Sequence, residues 1–455
     1  MNGTRTVAFQ TLGCKLNQFE TDALATRFRD SGYAIVEPTD EADCYIINTC
    51  TVTNKGDRKS RNAINRTIRI RDENPLPAGR NRLIVVTGCY VESAWDALKT
   101  DTRVVAVPND KKQGIFELVE ARLNGELIGP NELPRGVFDY GVQSQLFHTR
   151  AMIKIQDGCD NFCSFCIIPA VRGRATSRPV VDILQELRTL VDRGFREIVL
   201  TGVNISRYSD SHTGFSELVE QMLAQPGDFR LRISSLEPDS IDDRFIALFD
   251  HPKMAPHLHL CLQSGSERIL LQMRRQYTAK EYRRITDALL SRYPDFNLTT
   301  DCIVGFPGES DEDFQATCDL IRQVGFSHVH TFPYSRRRGT RAERMPGQIA
   351  EAVKKERAKR IRELGYEGKL AYRQRMAGKQ QRALIEKVEN GVAYGYTENY
   401  VPVAVAVEDD SNATDLQNRF LDVRLEPFDT PHTINLDSDL RMTARVSNQV
   451  PTPAS

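Results

Sequence analysis

Neither net charge nor a long apolar run singles this chain out. Its 61 basic and 61 acidic residues cancel, so no overall field draws it to nucleic acid or to an anionic surface. Any contact of that kind has to come from local patches. No run of about 18 apolar residues is present to cross a bilayer. The start, Met1-Asn-Gly-Thr-Arg-Thr-Val-Ala-Phe-Gln, enters a strand pattern with no apolar leader. A cytosolic protein with no membrane partner is expected. In that reducing setting the ten cysteines are metal ligands or buried thiols rather than a disulfide framework. The makings of a closed zinc site are lacking too. Three cysteines stand together in Asp157-Gly-Cys159-Asp-Asn-Phe-Cys163-Ser-Phe-Cys166, and no second Cys or His pair follows within a few dozen residues.

Three thiolates around an iron-sulfur cube leave one iron free to bind something else. The Cys-x3-Cys-x2-Cys spacing resembles that of the radical S-adenosylmethionine enzymes. The resemblance implies that Cys159, Cys163 and Cys166 are the catalytic cluster ligands, whose open iron chelates S-adenosylmethionine, and that one-electron reduction releases a 5′-deoxyadenosyl radical. A three-cysteine zinc site, or a chance cluster of thiols, is the bland alternative.

Residues 1–145 alternate β-prone runs with helical patterns, the rhythm of a parallel sheet covered on both faces. The runs are Thr6–Gln10, Tyr33–Val36, Cys44–Asn48, Arg82–Val86 and Arg103–Val107. Cys14 follows the first strand, Cys50 the third and Cys89 the fourth, so all three fall at carboxyl ends, where open α/β sheets bind ligands. They can converge on a second cluster; three unrelated core thiols is the alternative. Cys44 starts its strand at the opposite edge and reads as a buried hydrophobe.

Residues 146–375 restart the rhythm with six strands: Met152–Gln156, Glu197–Thr201, Leu231–Ser235, His257–Leu262, Leu298–Val304 and Val329–Pro333. Six βα units make a partial barrel whose post-strand loops build the site. Those loops offer Phe165, Gly202, Asn204, Ser235, Glu237, Gln263, Ile303 and Gly305 as contacts for a nucleoside-bearing amino acid. Thr278-Ala-Lys-Glu281 and Ser310-Asp-Glu-Asp313 read as capping boxes. Cys261, Cys302 and Cys318 lie within strand or helix runs and belong to the core. Two basic stretches stand out: Lys55 to Arg71 with only Asp57 opposing, and Arg336 to Arg362. They suggest a polyanionic substrate, although solvated helix faces would look the same. Residues 376–445 turn to short strands with turn signals at Asn390-Gly391 and Asp409-Asp-Ser-Asn412. This is the pattern of a small antiparallel barrel, a kind that often binds single-stranded RNA. Residues 446–455 read as a frayed tail.

The whole chain resembles the methylthiotransferase family of radical S-adenosylmethionine enzymes: an N-terminal three-cysteine domain, a radical domain, and a C-terminal barrel of the TRAM type. The resemblance implies two [4Fe-4S] clusters, with the one on Cys14, Cys50 and Cys89 supplying sulfur, and a second S-adenosylmethionine supplying methyl. Thr11-Leu-Gly-Cys-Lys-Leu-Asn-Gln18, Lys154-Ile-Gln-Asp-Gly-Cys159 and His330-Thr-Phe-Pro-Tyr-Ser-Arg-Arg-Arg-Gly-Thr340 resemble the branch acting on N6-threonylcarbamoyladenosine at position 37 of tRNA. That implies tRNA as partner, an electron donor such as a flavodoxin or ferredoxin, and a sulfur source. The added carboxylate suits an arginine-rich loop, so Arg336, Arg337 and Arg338 are expected near the substrate. Ala170-Val171 after Pro169 departs from the family pattern. Competing readings are a methylthiotransferase for N6-isopentenyladenosine in tRNA or for a ribosomal protein aspartate, and a non-catalytic iron-sulfur protein that binds RNA or senses redox state.

Overall fold

The computed structural model describes residues 4–74, 82–141, 148–407, 416–428 and 435–447. At the N-terminus, β1 (Thr6–Thr11), β2 (Ala34–Val36), β3 (Cys44–Thr49), β4 (Leu83–Gly88) and β5 (Val105–Val107) form a parallel sheet in the order β2-β1-β3-β4-β5. Every residue of β3 is buried, as a strand covered on both faces must be. Alternation decides which face each side chain joins. Val7, Cys44 and Ile46 meet Phe19, Leu24 and Phe28 of the helix Lys15–Asp30. Ala8, Tyr45 and Ile47 meet Ala63, Ile64 and Ile68 of the helix Asn54–Glu73.

The second unit is a run of parallel strands in sequence order: β6 (Ala151–Lys154), β7 (Glu197–Thr201), β8 (Arg230–Ile233, continued by Ser235–Leu236), β9 (His257–Leu260), β10 (Asn297–Val304) and β11 (His328–Pro333). This is the expected six-stranded partial barrel. In β10, Leu298, Cys302 and Val304 join the apolar core outside the barrel, while Asn297, Thr299 and Asp301 line a cavity within it. Both expected capping boxes close: Thr278 with Glu281, and Ser310 with Asp313. Met152 and Val199 share a core cluster with Phe19 and Tyr140, so the N-terminal unit packs against the first two strands of the barrel.

The long helix Glu351–Met376 leads into a closed five-stranded barrel: β12 (Gln380–Glu389), β13 (Val392–Thr397), β14 (Pro402–Ala406), β15 (Phe420–Leu425) and β16 (Met442–Val446), in the order β12-β13-β14-β16-β15. Asn390 and Gly391, with φ of 51° and 72°, make the tight turn that a β12–β13 hairpin requires. The expected small antiparallel barrel is present, with one parallel pair, β14 and β16, among four antiparallel ones. A closed ring with an odd number of strands cannot alternate direction throughout. The turn expected at 409–412 and the tail from 448 lie outside the described residues, as does the boundary expected at 145/146. Among the described residues no helix is long and apolar enough to cross a membrane, and all ten cysteines are free thiols.

The C-terminal barrel docks against the amino ends of the radical-domain strands. Arg150 donates to the Tyr400 hydroxyl at 2.9 Å, Arg232 to the Glu398 carbonyl at 3.2 Å, and Asn297 to the Asn399 carbonyl at 2.6 Å. Behind them Arg230 and Arg232 clamp the buried Glu197, at 2.6 and 2.7 Å. Burial alone would raise that carboxyl, but the two guanidiniums hold it far below the ordinary range.

Candidate functional site

Sheet order in the N-terminal unit reverses between β1 and β3, and ligands of open α/β sheets bind outside the carboxyl ends at such a reversal. Cys14 and Cys50 flank it, and Cys89 follows β4 on the same edge. Gly13, at φ +109°, is what lets the first loop close on the second. A Cβ there would stand 2.8 Å from the Cys50 Cβ and 3.0 Å from its Sγ. Cys14, Cys50 and Cys89 all line one cavity of ≈ 650 Å³. Burial pushes the Cys50 thiol up to about 11 and raises Cys89, although Arg172 and Lys112 act against it at Cys89. A bound metal would make such thiols anionic.

Cys159, Cys163 and Cys166 stand on the loop after β6. Phe165 anchors that loop by packing with Ile303 on the cluster of Ile269, Met273, Phe306 and Tyr334. Donors surround the sulfurs: Arg275 NH1 lies 3.2 Å from Cys163 Sγ, the Asn161 amide 3.5 Å and Asn204 Nδ2 3.8 Å from Cys159 Sγ. Such groups favour thiolates and tune a cluster bound to them. Burial pushes Cys166 up to about 12. Among the described residues, the one His/Cys/Asp/Glu trio with ligand atoms within 4.8 Å of one another is His259, Cys261 and Asp301. Neither cysteine triad is that tight, and a single zinc, with Zn–S near 2.3 Å, would need it to be. Three thiols at wider spacing suit a cube with one open iron.

The other expected contacts divide. Cys159 and Asn204 line a second pocket of ≈ 410 Å³, whereas Gly202 and Ser235 line the large cavity. Glu237 is held by Arg275. Gln263, at φ +63°, is pinned by its backbone between Asp301 and Ile303. At Gly305 the reason for glycine is the Lys354 side chain, which occupies the place of a Cβ.

A buried charge network joins the two triads. Arg172 NH1 donates to Glu20 at 3.0 Å and to both Asp157 oxygens at 3.0 and 3.2 Å, and NH2 donates to Asn17 at 2.8 Å. Lys154 pairs with Asp157 at 2.6 Å and with Glu20 at 3.1 Å, and Lys112 pairs with Glu20. Burial would raise Glu20, but Arg172, Lys112 and Lys154 together hold it well below the carboxylate range. Three cations against two anions leave one positive charge beside Cys14 and Cys89, where a cluster on three thiolates would place negative charge.

The three arginines expected near the substrate divide. Arg337 is buried and spent inside the protein: it donates to Asp57 and Asn54 at 2.7 and 2.8 Å and to Thr51 at 2.8 Å, latching the β11 loop to the N-terminal unit. Arg336 and Arg338 are exposed. Two further cations of the second basic stretch are also buried, Arg357 bound to Glu309 and Asp311 and Lys354 to Glu351, while most of the stretch stays exposed. The first stretch does present a cationic face. Lys55, Arg58, Lys59, Arg61, Arg66 and Arg69 are exposed, while Ala63, Ile64 and Ile68 face the sheet. Sequence reasoning missed the cavity wall of His257, His259, His328 and His330. Its signal was the alternation His257-Leu-His259 and His328-Val-His330, which places each pair on one strand face.

Comparison with known proteins follows this division. The Radical SAM superfamily matches residues 153–321, and a family described as uncharacterized protein family UPF0004 matches residues 6–108. "Threonylcarbamoyladenosine tRNA methylthiotransferase MtaB" of Thermotoga maritima is 37% identical over 87% of this chain and 90% of its own length. The protein of that name from Bacillus subtilis is 38% identical, over 88% and 90%. A "tRNA-2-methylthio-N(6)-dimethylallyladenosine synthase" of Syntrophus aciditrophicus is 34% identical, over 84% and 83%. In fold the chain is similar to the radical S-adenosylmethionine methyltransferase TsrM of Kitasatospora setae, with a TM-score of 0.54 at 15% identity, covering 86% of this chain and 81% of that one. An identity of 37–38% over 87–88% of the chain decides the family. The chain belongs to the methylthiotransferases among the radical S-adenosylmethionine enzymes, whose members use S-adenosylmethionine and [4Fe-4S] clusters.

Proposed function

We propose that this chain is a tRNA methylthiotransferase that replaces the C2 hydrogen of N6-threonylcarbamoyladenosine at position 37 with a methylthio group. Cys159, Cys163 and Cys166 hold one cluster and Cys14, Cys50 and Cys89 the other, within domains spanning 146–375 and 1–145, and 376–445 helps to hold RNA. The observation that carries this reading is the ≈ 650 Å³ cavity. It has the second triad on its wall, and Gly202 and Ser235, at the carboxyl ends of β7 and β8, on the same lining. That volume suits a nucleoside. When bound, the cofactors supply a 5′-deoxyadenosyl radical and sulfur, which an unactivated C–H bond requires.

The chain's own side chains hold and orient. Arg275 and Asn204 donate to the sulfurs of Cys163 and Cys159, and Arg172 fixes one triad against the other. The exposed cations of Asn54–Glu73 grip phosphate. The threonylcarbamoyl substrate is supported by the greater identity of the two relatives named for it. A cytosolic setting, a flavodoxin- or ferredoxin-like reductant and an external sulfur source complete the proposal.

Two measurements test it. Anaerobically reconstituted protein should hold about eight irons, falling to about four when Cys159, Cys163 and Cys166 are all changed to Ala. Stem-loops bearing N6-threonylcarbamoyladenosine should gain a methylthio group and form 5′-deoxyadenosine. Turnover on N6-isopentenyladenosine stem-loops alone would overturn the substrate assignment.

A further inference from the structure

The floor of the large cavity carries donors that the chain does not satisfy. Lys15, the residue after Cys14, lines it and makes no hydrogen bond or ion pair with a described residue. Arg373, only 5% exposed, donates through Nε to the Leu440 carbonyl at 3.0 Å and through NH2 to the Asp439 carbonyl at 3.4 Å, and its NH1 has no partner. His257 is 4% exposed. Its Nε2 lies 3.4 Å from Thr299 Oγ1, and its Nδ1 has no partner. Both side chains line the same cavity. A buried donor without an acceptor is costly, and two of them on one cavity, beside the exposed ammonium of Lys15, call for an anionic acceptor.

The acids nearby leave the floor positive. Glu197 is neutralised by Arg230 and Arg232, and the two carboxylates on the lining, Asp439 and Asp301, the latter 3.1 Å from His259, face three cations, Lys15, Lys369 and Arg373. Asp439 is the one carboxylate acting on both Arg373 and Lys369. Lys15 acts on His257 and His330, and Arg373 on His328, so the two cations face one histidine cluster from different elements. The His328 and His330 rings are themselves in contact, Nε2 to Nδ1 at 3.2 Å.

We propose that this floor receives the carboxylate of the threonylcarbamoyl group, with Lys15 as charge partner and Arg373 NH1 and His257 Nδ1 as donors. The inference rests on the substrate reading above and relocates the carboxylate site from the exposed arginine loop to the cavity. It also gives the site a means of rejection. A substrate bearing an apolar N6 chain leaves these donors unpaired, which discriminates more strongly than a missing apolar contact does.

The test uses full-length reconstituted protein and three anticodon stem-loops, carrying N6-threonylcarbamoyladenosine, its carboxyl methyl ester, or unmodified adenosine. Wild type should bind and modify the acid with Kd and KM about 10- to 100-fold below those of the ester. In Lys15→Gln, and independently in Arg373→Gln, the ester-to-acid ratio should fall toward one in both Kd and KM, with iron content and 5′-deoxyadenosine formation measured alongside. The inference is overturned if either variant, retaining its iron, keeps the wild-type ratio. It is equally overturned if wild type treats acid and ester alike, an outcome that leaves the tRNA activity standing. Wild type that modifies neither acid nor ester would instead sink the substrate reading, and the inference with it.

Discussion

Replacing Arg172 by Met removes one of three cations from a buried five-charge network, and five hydrogen bonds go with it: two to Glu20, two to Asp157 and one to Asn17. Deleting one partner of a buried ion pair costs about 3–5 kcal/mol. Lys112 and Lys154 would still balance the two carboxylates, and Met fills much of the vacated volume, so the lower end, about 3 kcal/mol, is expected. Trp95 is the single tryptophan and packs against the core between the N-terminal sheet and the helix Asn54–Glu73. Its fluorescence therefore reports unfolding of that unit. With a urea m-value of about 2 kcal/mol/M, the midpoint should drop by about 1.5 M. Arg172→Lys keeps the charge but cannot bridge Glu20, Asp157 and Asn17 with one planar fork, and should lose about half as much. Glu20→Gln in the Met background should show coupling of about 1–3 kcal/mol. A midpoint within about 0.3 M of wild type would refute the reasoning, because the network would then contribute nothing to docking the two units.

Charge reversal at Arg58, Lys59 and Arg66 should weaken tRNA binding and flatten its log–log salt dependence by about two units; filter binding across a salt series with an unaltered slope would count against this face. Arg337→Met should cost about 2–4 kcal/mol through loss of the latch to Asp57, and Asp57→Asn should add little on top, which a double-mutant cycle by urea titration would check. Burial holds His257 and His330 below the usual histidine range and His328 at about 3. These rings are neutral when folded, so their contribution is complete above the unfolded value near 6.5 and is lost as pH falls through the folded values. Asp22, which burial raises to about 7, runs the other way: its contribution is complete below the unfolded carboxylate value and is lost as pH rises through about 7. Melting temperature should therefore fall on acidification from pH 6.5 toward 4, and His257→Asn with His328→Asn should flatten that fall. A wild-type curve already flat over that interval would refute it.

What could be read from the amino-acid order is what repeats or what topology forces. Strand alternation marked β1 to β11, and the rule that parallel strands share a carboxyl edge brought Cys14, Cys50 and Cys89 to one place although they are far apart in the chain. The capping boxes at Thr278 and Ser310 were legible because their partners are three residues away. Contacts between polar residues distant in sequence have no such mark. Nothing near Arg337 announces Asp57, so three consecutive arginines looked alike when one is structural and two are exposed. Arg357 looked like surface for the same reason: helix periodicity shows a stripe but not Glu309 and Asp311 waiting across from it, nor Gly305 and Tyr334, against which the Lys354 chain packs. The parallel β14–β16 pair follows from counting strands in a closed ring, which becomes possible once closure is known.

The docking of the C-terminal barrel bears on how the chain could be cut or recombined. Tyr396 and Tyr400, stacked with their rings 4.8 Å apart, line the cavity together with Pro402. Tyr400 takes its hydrogen bond from Arg150 and lies under Arg232 and beside His257, all on the radical domain. The C-terminal barrel is thus the base plate of the cavity. Truncation after Met376 would leave a vessel with a hole in it: solvent would enter beneath the substrate, and S-adenosylmethionine would be spent on 5′-deoxyadenosine without methylthiolated product. A homologous barrel grafted onto this chain would have to bring its own tyrosine pair, matched to Arg150 and Arg232, so the seam at which the domains meet is inherited as one piece.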